Sequence, residues 1–205
     1  MKLPRPGEVE DEGSDGRGQR LERLFIAVPM PEGVLPLVLE AQQLLPNQRG
    51  LRLMTREQLH LTLAFIGEVG PEKRRAAEDV VRSVPTDGGG VLQSAGFLFL
   101  PSPRRARVVA VSLDDRQLIL GRLFEHVMAG LELAEVMQRE KRPFRAHLTI
   151  ARLRDPAELQ PKSECRRFGF PVQSVCLYRS ELRREGAQHT VLARKELDGG
   201  LGTEA

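Results

Sequence analysis

The 205-residue sequence has no tryptophan and a single tyrosine, Tyr178, so aromatic platforms for stacking nucleobases are scarce. Its two cysteines, Cys165 and Cys176, cannot build a disulfide framework. Neither belongs to a Cys-x-x-Cys pair, the usual mark of a thiolate zinc site. No apolar run is long enough to span a bilayer. No cationic-then-apolar leader opens the chain, so we expect no secretion, a cytoplasmic location, reduced thiols and no membrane partner. Charge of one sign is also in short supply, with a formal balance of +3. The sequence pI near 9.2 leans toward anionic partners but says little about nucleic acid by itself. What charge there is comes grouped: Arg104, Arg105 and Arg107; Lys141, Arg142 and Arg145; Arg166 and Arg167; Arg183 and Arg184. A 40% hydrophobic and 29% charged composition is that of an ordinary globular chain, long enough to bury a substantial core.

Residues 1–22 are rich in glycine, proline and acid and have little to bury, so they read as a disordered tail. Residues 23–198 read as one bilobal domain, and 199–205 as a fraying end. A β-branched and aromatic run at Arg23 to Val28 predicts a strand that Pro29 and Pro31 stop. Helical spacing follows in "VLPLVLEAQQLL", then a strand over Gln58 to Gly67. Pro71 suits the first position of a second helix, "PEKRRAAEDVVRSV". Strands at Val91 to Leu100 and Arg107 to Leu113 flank the basic turn "PSPRRA". Asp114 is placed to cap a third helix through "RQLILGRLFEHVMAGLELAEV", with an irregularity expected near Gly130. Beyond a connection over Arg154 to Arg167, strands are expected near Val172 to Leu182 and Thr190 to Leu197. The two halves follow a similar order, which predicts an α+β fold of two pseudosymmetric lobes. Each lobe is an antiparallel sheet with helices on its outer face, and a cleft lies between them.

Two segments carry the functional signal. In "LHLTLAFIGEV" (Leu59 to Val69), strand alternation puts His60 and Thr62 on one face and Leu59, Leu61 and Leu63 on the other. In "RAHLTIARL" (Arg145 to Leu153), His147 and Thr149 share a face against Ala146, Leu148 and Ile150. An unpartnered buried polar group costs about 1–3 kcal/mol, so four such side chains belong at a wet cleft. A lone histidine on a strand is ordinarily structural; its repetition in the same apolar setting argues for chemistry. Two imidazoles that titrate near pH ~6.5 can divide the acid and base roles at a phosphoester, each typically worth ~10²–10⁴ in rate. Threonine hydroxyls can hold the phosphoryl oxygens. The scheme needs no metal or cofactor, and a zinc site would lack a third ligand. His126 and His189 read as structural.

With these flanks, the paired His-x-Thr motifs resemble the two-histidine phosphoesterase superfamily. Within it, the sequence is similar to the RNA 2′,3′-cyclic phosphodiesterases, long labelled 2′-5′ RNA ligases. The likeness runs from Arg23 to Leu197 and also includes "RLFIAVPMPE", "FLPSPRRARVVAVSL" and "LYRSELRREGAQHTVL". It implies hydrolysis of a 2′,3′-cyclic phosphate to a 2′-phosphomonoester, with His60 as proton donor, His147 as acceptor, and Thr62 and Thr149 on the phosphoryl oxygens. Partners would be RNA or oligonucleotide ends, or small cyclic nucleotides, bound by a monomer. Arg152 matches an arginine that commonly follows the second motif, although strict alternation would aim it away from His147 unless a bulge intervenes. Phe25 and Phe65 are candidate base-stacking residues. The chain departs from the pattern at Ala146, where proline is common, at His189, where tyrosine is common, and in its acidic tail. Two other readings stay open: 2′-5′ ligation, the reverse of the same transphosphorylation, and an RNA-binding module whose histidines only touch phosphate. An ATP-driven ligase is disfavoured, because "KELDG" (Lys195 to Gly199) is one residue too long for an adenylation motif.

Overall fold

Apolar runs of the kind seen in "RLFIAV" build two antiparallel sheets in a computed structural model that describes residues 20–139, 143–183 and 186–199. Of the tails expected at 1–22 and 199–205, residues 1–19 and 200–205 lie outside the described residues, as do Lys141, Arg142 and Arg184 of the basic clusters, whereas Glu22 already opens the first strand. The first sheet has the order β3 (His60–Val69), β1 (Glu22–Pro29), β8 (Ser174–Arg183), β9 (Gly186–Glu196). The second has the order β2 (Leu51–Leu53), β6 (His147–Ala157), β5 (Ala106–Asp114), β4 (Gly90–Leu100), β7 (Gly169–Val172). The short strands β2 and β7 were not foreseen, and β6 runs on into the segment expected to be a connection.

Three helices cover the backs of the sheets among the described residues: α1 (Leu35–Gln43), α2 (Pro71–Arg82) and α3 (Ile119–Leu133). Pro36 and Pro71 sit in the first turns of α1 and α2, where a missing N–H costs nothing. Helix α2 packs on β1, β8 and β9, and α3 on β3 and α2, whereas α1 lies against β6 of the other sheet. Leu24, Ile26 and Val28 of β1, Val109 and Val111 of β5, and Leu148 and Ile150 of β6 join one continuous hydrophobic cluster fed by both sheets. Each such side chain contributes about 1.5–3 kcal/mol on burial.

Two expectations about α3 are corrected. Asp114 does not cap it: that residue ends β5, and its carboxylate pairs with Arg116 at 2.8 Å. The helix starts at Ile119 after Leu118, which has a left-handed backbone (φ 54°), and the neighbouring Asp115 Oδ2 accepts from the Gly121 N–H at 2.8 Å. Nor does Gly130 interrupt the helix. The glycine marks a close approach instead, since a Cβ there would lie 2.9 Å from Val80 Cγ1 of α2.

The pseudosymmetry is written in the strand register. Thr62 lies opposite Ala27 of β1, and Thr149 lies opposite Ala110 of β5. His60 lies opposite Pro29, and His147 opposite Ser112. In both motif strands the ladder skips one residue at the same place, Leu63 in β3 and Ile150 in β6, three positions after the histidine.

Candidate active site

Those two bulges decide which side chains share a face. An extra residue shifts the alternation by one, so the face that carries His60 and Thr62 continues at Phe65, and the face that carries His147 and Thr149 continues at Arg152. Burial follows this phase: Leu148 and Ile150, then Ala151 and Leu153, are buried, while Arg152 is exposed. In β3, Leu61, Leu63 and Ala64 are buried and Phe65 is 52% exposed. The bulge that an Arg152–phosphate contact required is therefore present. Arg52 of β2 stands across from Arg152.

Each histidine is anchored by the carbonyl two residues before it. His147 Nδ1 lies 2.7 Å from the Arg145 carbonyl oxygen. A carbonyl only accepts, so Nδ1 carries the proton and Nε2 is left with its lone pair. The His60 ring makes the corresponding hydrogen bond to the Gln58 main-chain carbonyl. Gln58 is itself fixed: its Oε1 accepts from the Thr55 N–H at 3.3 Å, and its Nε2 donates to the Ala187 carbonyl of β9 at 3.1 Å.

His60 sits on an aromatic floor. The Phe25 ring lies 4.7 Å from it and stacks on Tyr178 at 5.0 Å. His189 stands edge-on to both, 5.4 Å from His60 and 4.9 Å from Phe25. Burial, then the nearby His189, then Arg152 hold the His60 pKa well below its ordinary 6.5, at about 3, against the opposing pull of the Gln58 carbonyl. Burial also lowers the His189 pKa and pushes the Tyr178 hydroxyl above the usual phenol range. Strands β3 and β6 touch one another, so the two motif strands meet across the two sheets.

His60 and Thr62 share one strand face, and His147 and Thr149 another, each half-buried beside a buried leucine. Phe65 keeps an open face, but Phe25 is 2% exposed beneath His60 and has no face left for a base. His126 is structural as expected, its Nε2 3.1 Å from Ser83 Oγ between α2 and α3. His189 was read the same way, yet it lies beside His60. Tyr178 was noted only for its rarity and forms part of the same wall. No local pattern marks either one; they reach the site because β8 and β9, the last strands, extend the sheet begun by β1. Among the described residues no group of three or more His, Cys, Asp or Glu is placed to hold a metal, and no helix is long and apolar enough to cross a membrane.

Residues 28–110 match the family described as LigT like Phosphoesterase. An RNA 2′,3′-cyclic phosphodiesterase of Thermus thermophilus is 32% identical over 194 residues, covering 89% of this chain and 93% of that protein. A crystal structure from the same species superposes with a TM-score of 0.73 at 29% identity, covering 86% of this chain and 98% of that one. Escherichia coli LigT complexed with 3′-AMP gives 0.73 at 26% identity, covering 87% and 99%. The shared sequence, its extent and the common fold place this chain in the LigT-like phosphoesterase family.

Proposed function

We propose that this protein hydrolyses the 2′,3′-cyclic phosphate at an RNA end to a 2′-phosphomonoester, with His60 and His147 as the acid–base pair. The observation that carries the reading is the matched register of two His-x-Thr-bulge strands, β3 and β6, which come from different sheets and touch one another. Relatives named RNA 2′,3′-cyclic phosphodiesterase support it.

In this scheme the Nε2 lone pair of His147 takes a proton from water as the water oxygen bonds to phosphorus. The P–O3′ bond breaks, and His60 delivers its proton to the departing O3′, leaving a free 3′-hydroxyl and a 2′-phosphate. Thr62 and Thr149 donate hydrogen bonds to the non-bridging oxygens. With a free-protein pKa of about 3, His60 is neutral until substrate arrives. A bound phosphodiester anion offsets Arg152 and favours the protonated imidazole. Phe65 offers the neighbouring base a stacking face. We read small 2′,3′-cyclic nucleotides as minimal substrates and the protein as a cytoplasmic monomer that needs no metal.

The test is incubation of purified protein with a 2′,3′-cyclic-phosphate oligonucleotide in chelator, the product being identified by phosphorus NMR. Expected is a 2′-phosphomonoester, with turnover reduced ~10²–10⁴-fold in His60→Ala and in His147→Ala. No turnover, a 3′-phosphate product, or full activity in either variant would sink the reading.

A further inference from the structure

The bulge that turns Arg152 toward the motif face has a visible support. Ile150, the residue without a partner in β5, directs its carbonyl the other way, where it accepts from the Met54 N–H at 2.9 Å. A second donor reaches the same oxygen: Gln42 Nε2 lies 2.9 Å from Ile150 O and 2.8 Å from Met54 O. Gln42 is 5% exposed, at the end of α1, one of the few polar side chains in the interior. Its amide carries two N–H donors, and both carbonyls within reach are acceptors only, so the geometry uses its full donor capacity. Three segments meet at this one group: α1, the link that follows β2, and β6 between Thr149 and Arg152.

We propose that Gln42 is a positioning residue for the phosphate site, fixing the Ile150 bulge so that Thr149 and Arg152 face the same anion. The proposal rests on the reading of Thr149 and Arg152 as phosphate ligands. A bulge is a local break in the ladder with more than one available geometry. Released on the β2 side, β6 can return to plain alternation, which aims Arg152 away from His147. Gln42 touches no substrate and acts only through the main chain of β6.

The experiment measures the affinity of the full chain for inorganic phosphate, by titration calorimetry, in the wild type, Gln42→Met, Gln42→Glu, Arg152→Ala and the Gln42→Met/Arg152→Ala double variant. Methionine keeps the length and loses both donors; a buried glutamic acid, kept protonated by its apolar surroundings, retains one. Expected is phosphate binding weakened ~10- to ~100-fold in Gln42→Met, partly restored in Gln42→Glu, and no further loss when Gln42→Met is added to Arg152→Ala. A merely structural glutamine predicts otherwise: unchanged affinity in the folded Gln42→Met protein, or losses that add in the double variant, and either result overturns the proposal. Should Gln42→Met not fold, Gln42→Asn, too short to span both carbonyls, carries the same comparison. Turnover of the cyclic phosphate is followed in parallel. Hydrolysis with no Gln42 effect on phosphate removes this proposal alone, whereas a Gln42-dependent phosphate site without hydrolysis removes the enzymatic reading alone.

Discussion

At the scale of single residues, the sequence displays the groups most able to do chemistry and hides those that tune them. His60, Thr62, His147 and Thr149 stand out because polar side chains interrupt apolar strands at spacing two. His189 does not stand out, because only a non-sequential strand order brings it to His60. Its influence is measurable. Replacing His189 with Gln removes a like charge, so the His60 imidazole should titrate higher in the variant by proton NMR; burial, the larger cause, remains, and the value should stay below 6.5. An unmoved or lowered His60 would show that the two rings are not coupled. The same depression has a stability consequence. The folded pKa of His60 lies below the unfolded one, so folded protein binds fewer protons between about pH 3 and 6.5. The His60 contribution is fully present above pH 6.5 and is lost as pH falls toward 3, with a slope of at most about 1.4 kcal/mol per pH unit. Urea titrations of wild type and His60→Gln across that window should converge toward acid pH. Parallel curves would contradict it.

At the scale of elements, hydrophobic periodicity located the longer strands and all three helices but misplaced details set by tertiary contact. Strand β2 has three residues and β7 four, too few for a periodic signal, and each exists because a neighbour offers a sheet edge. Asp114 looked like a helix cap because Asp is a good one, yet Asp115 supplies the hydrogen bond one residue later. The bulges were legible only as a requirement: the sequence showed that Arg152 needed one, and nothing in "HLTIAR" marks Ile150 as the extra residue. Gly130 affords a test of packing against propensity. In an exposed helix, Gly→Ala gains about 1 kcal/mol. Here the new methyl would meet both Val80 methyls, at 2.9 and 3.0 Å, on a stiff β-branched side chain. Overpacking of this kind costs about 1–3 kcal/mol, so Gly130→Ala should lower the melting temperature while leaving kcat unchanged. A rise in melting temperature would mean that α2 yields more readily than its contacts suggest.

At the scale of the whole molecule, the two-lobe plan was legible from the order of elements and the repeated motif. The degree of interlock was not. The cluster of buried side chains is continuous through both sheets, and α1, which follows β1 of the first sheet, covers β6 of the second. Such an arrangement should unfold as one unit. Calorimetry should give a single transition with equal calorimetric and van't Hoff enthalpies, and two resolved transitions would show the lobes to be thermally independent. Strand order also bears on biosynthesis. The first sheet begins with β1 but is completed by β8 and β9, so the wall of Tyr178 and His189 and the carbonyl that Gln58 holds arrive last. On the ribosome, β1, the neighbour of the strand bearing His60, waits with its other side open until nearly the entire message has been read. A premature stop after β3 but before codon 174 therefore leaves β1 with an open, aggregation-prone edge.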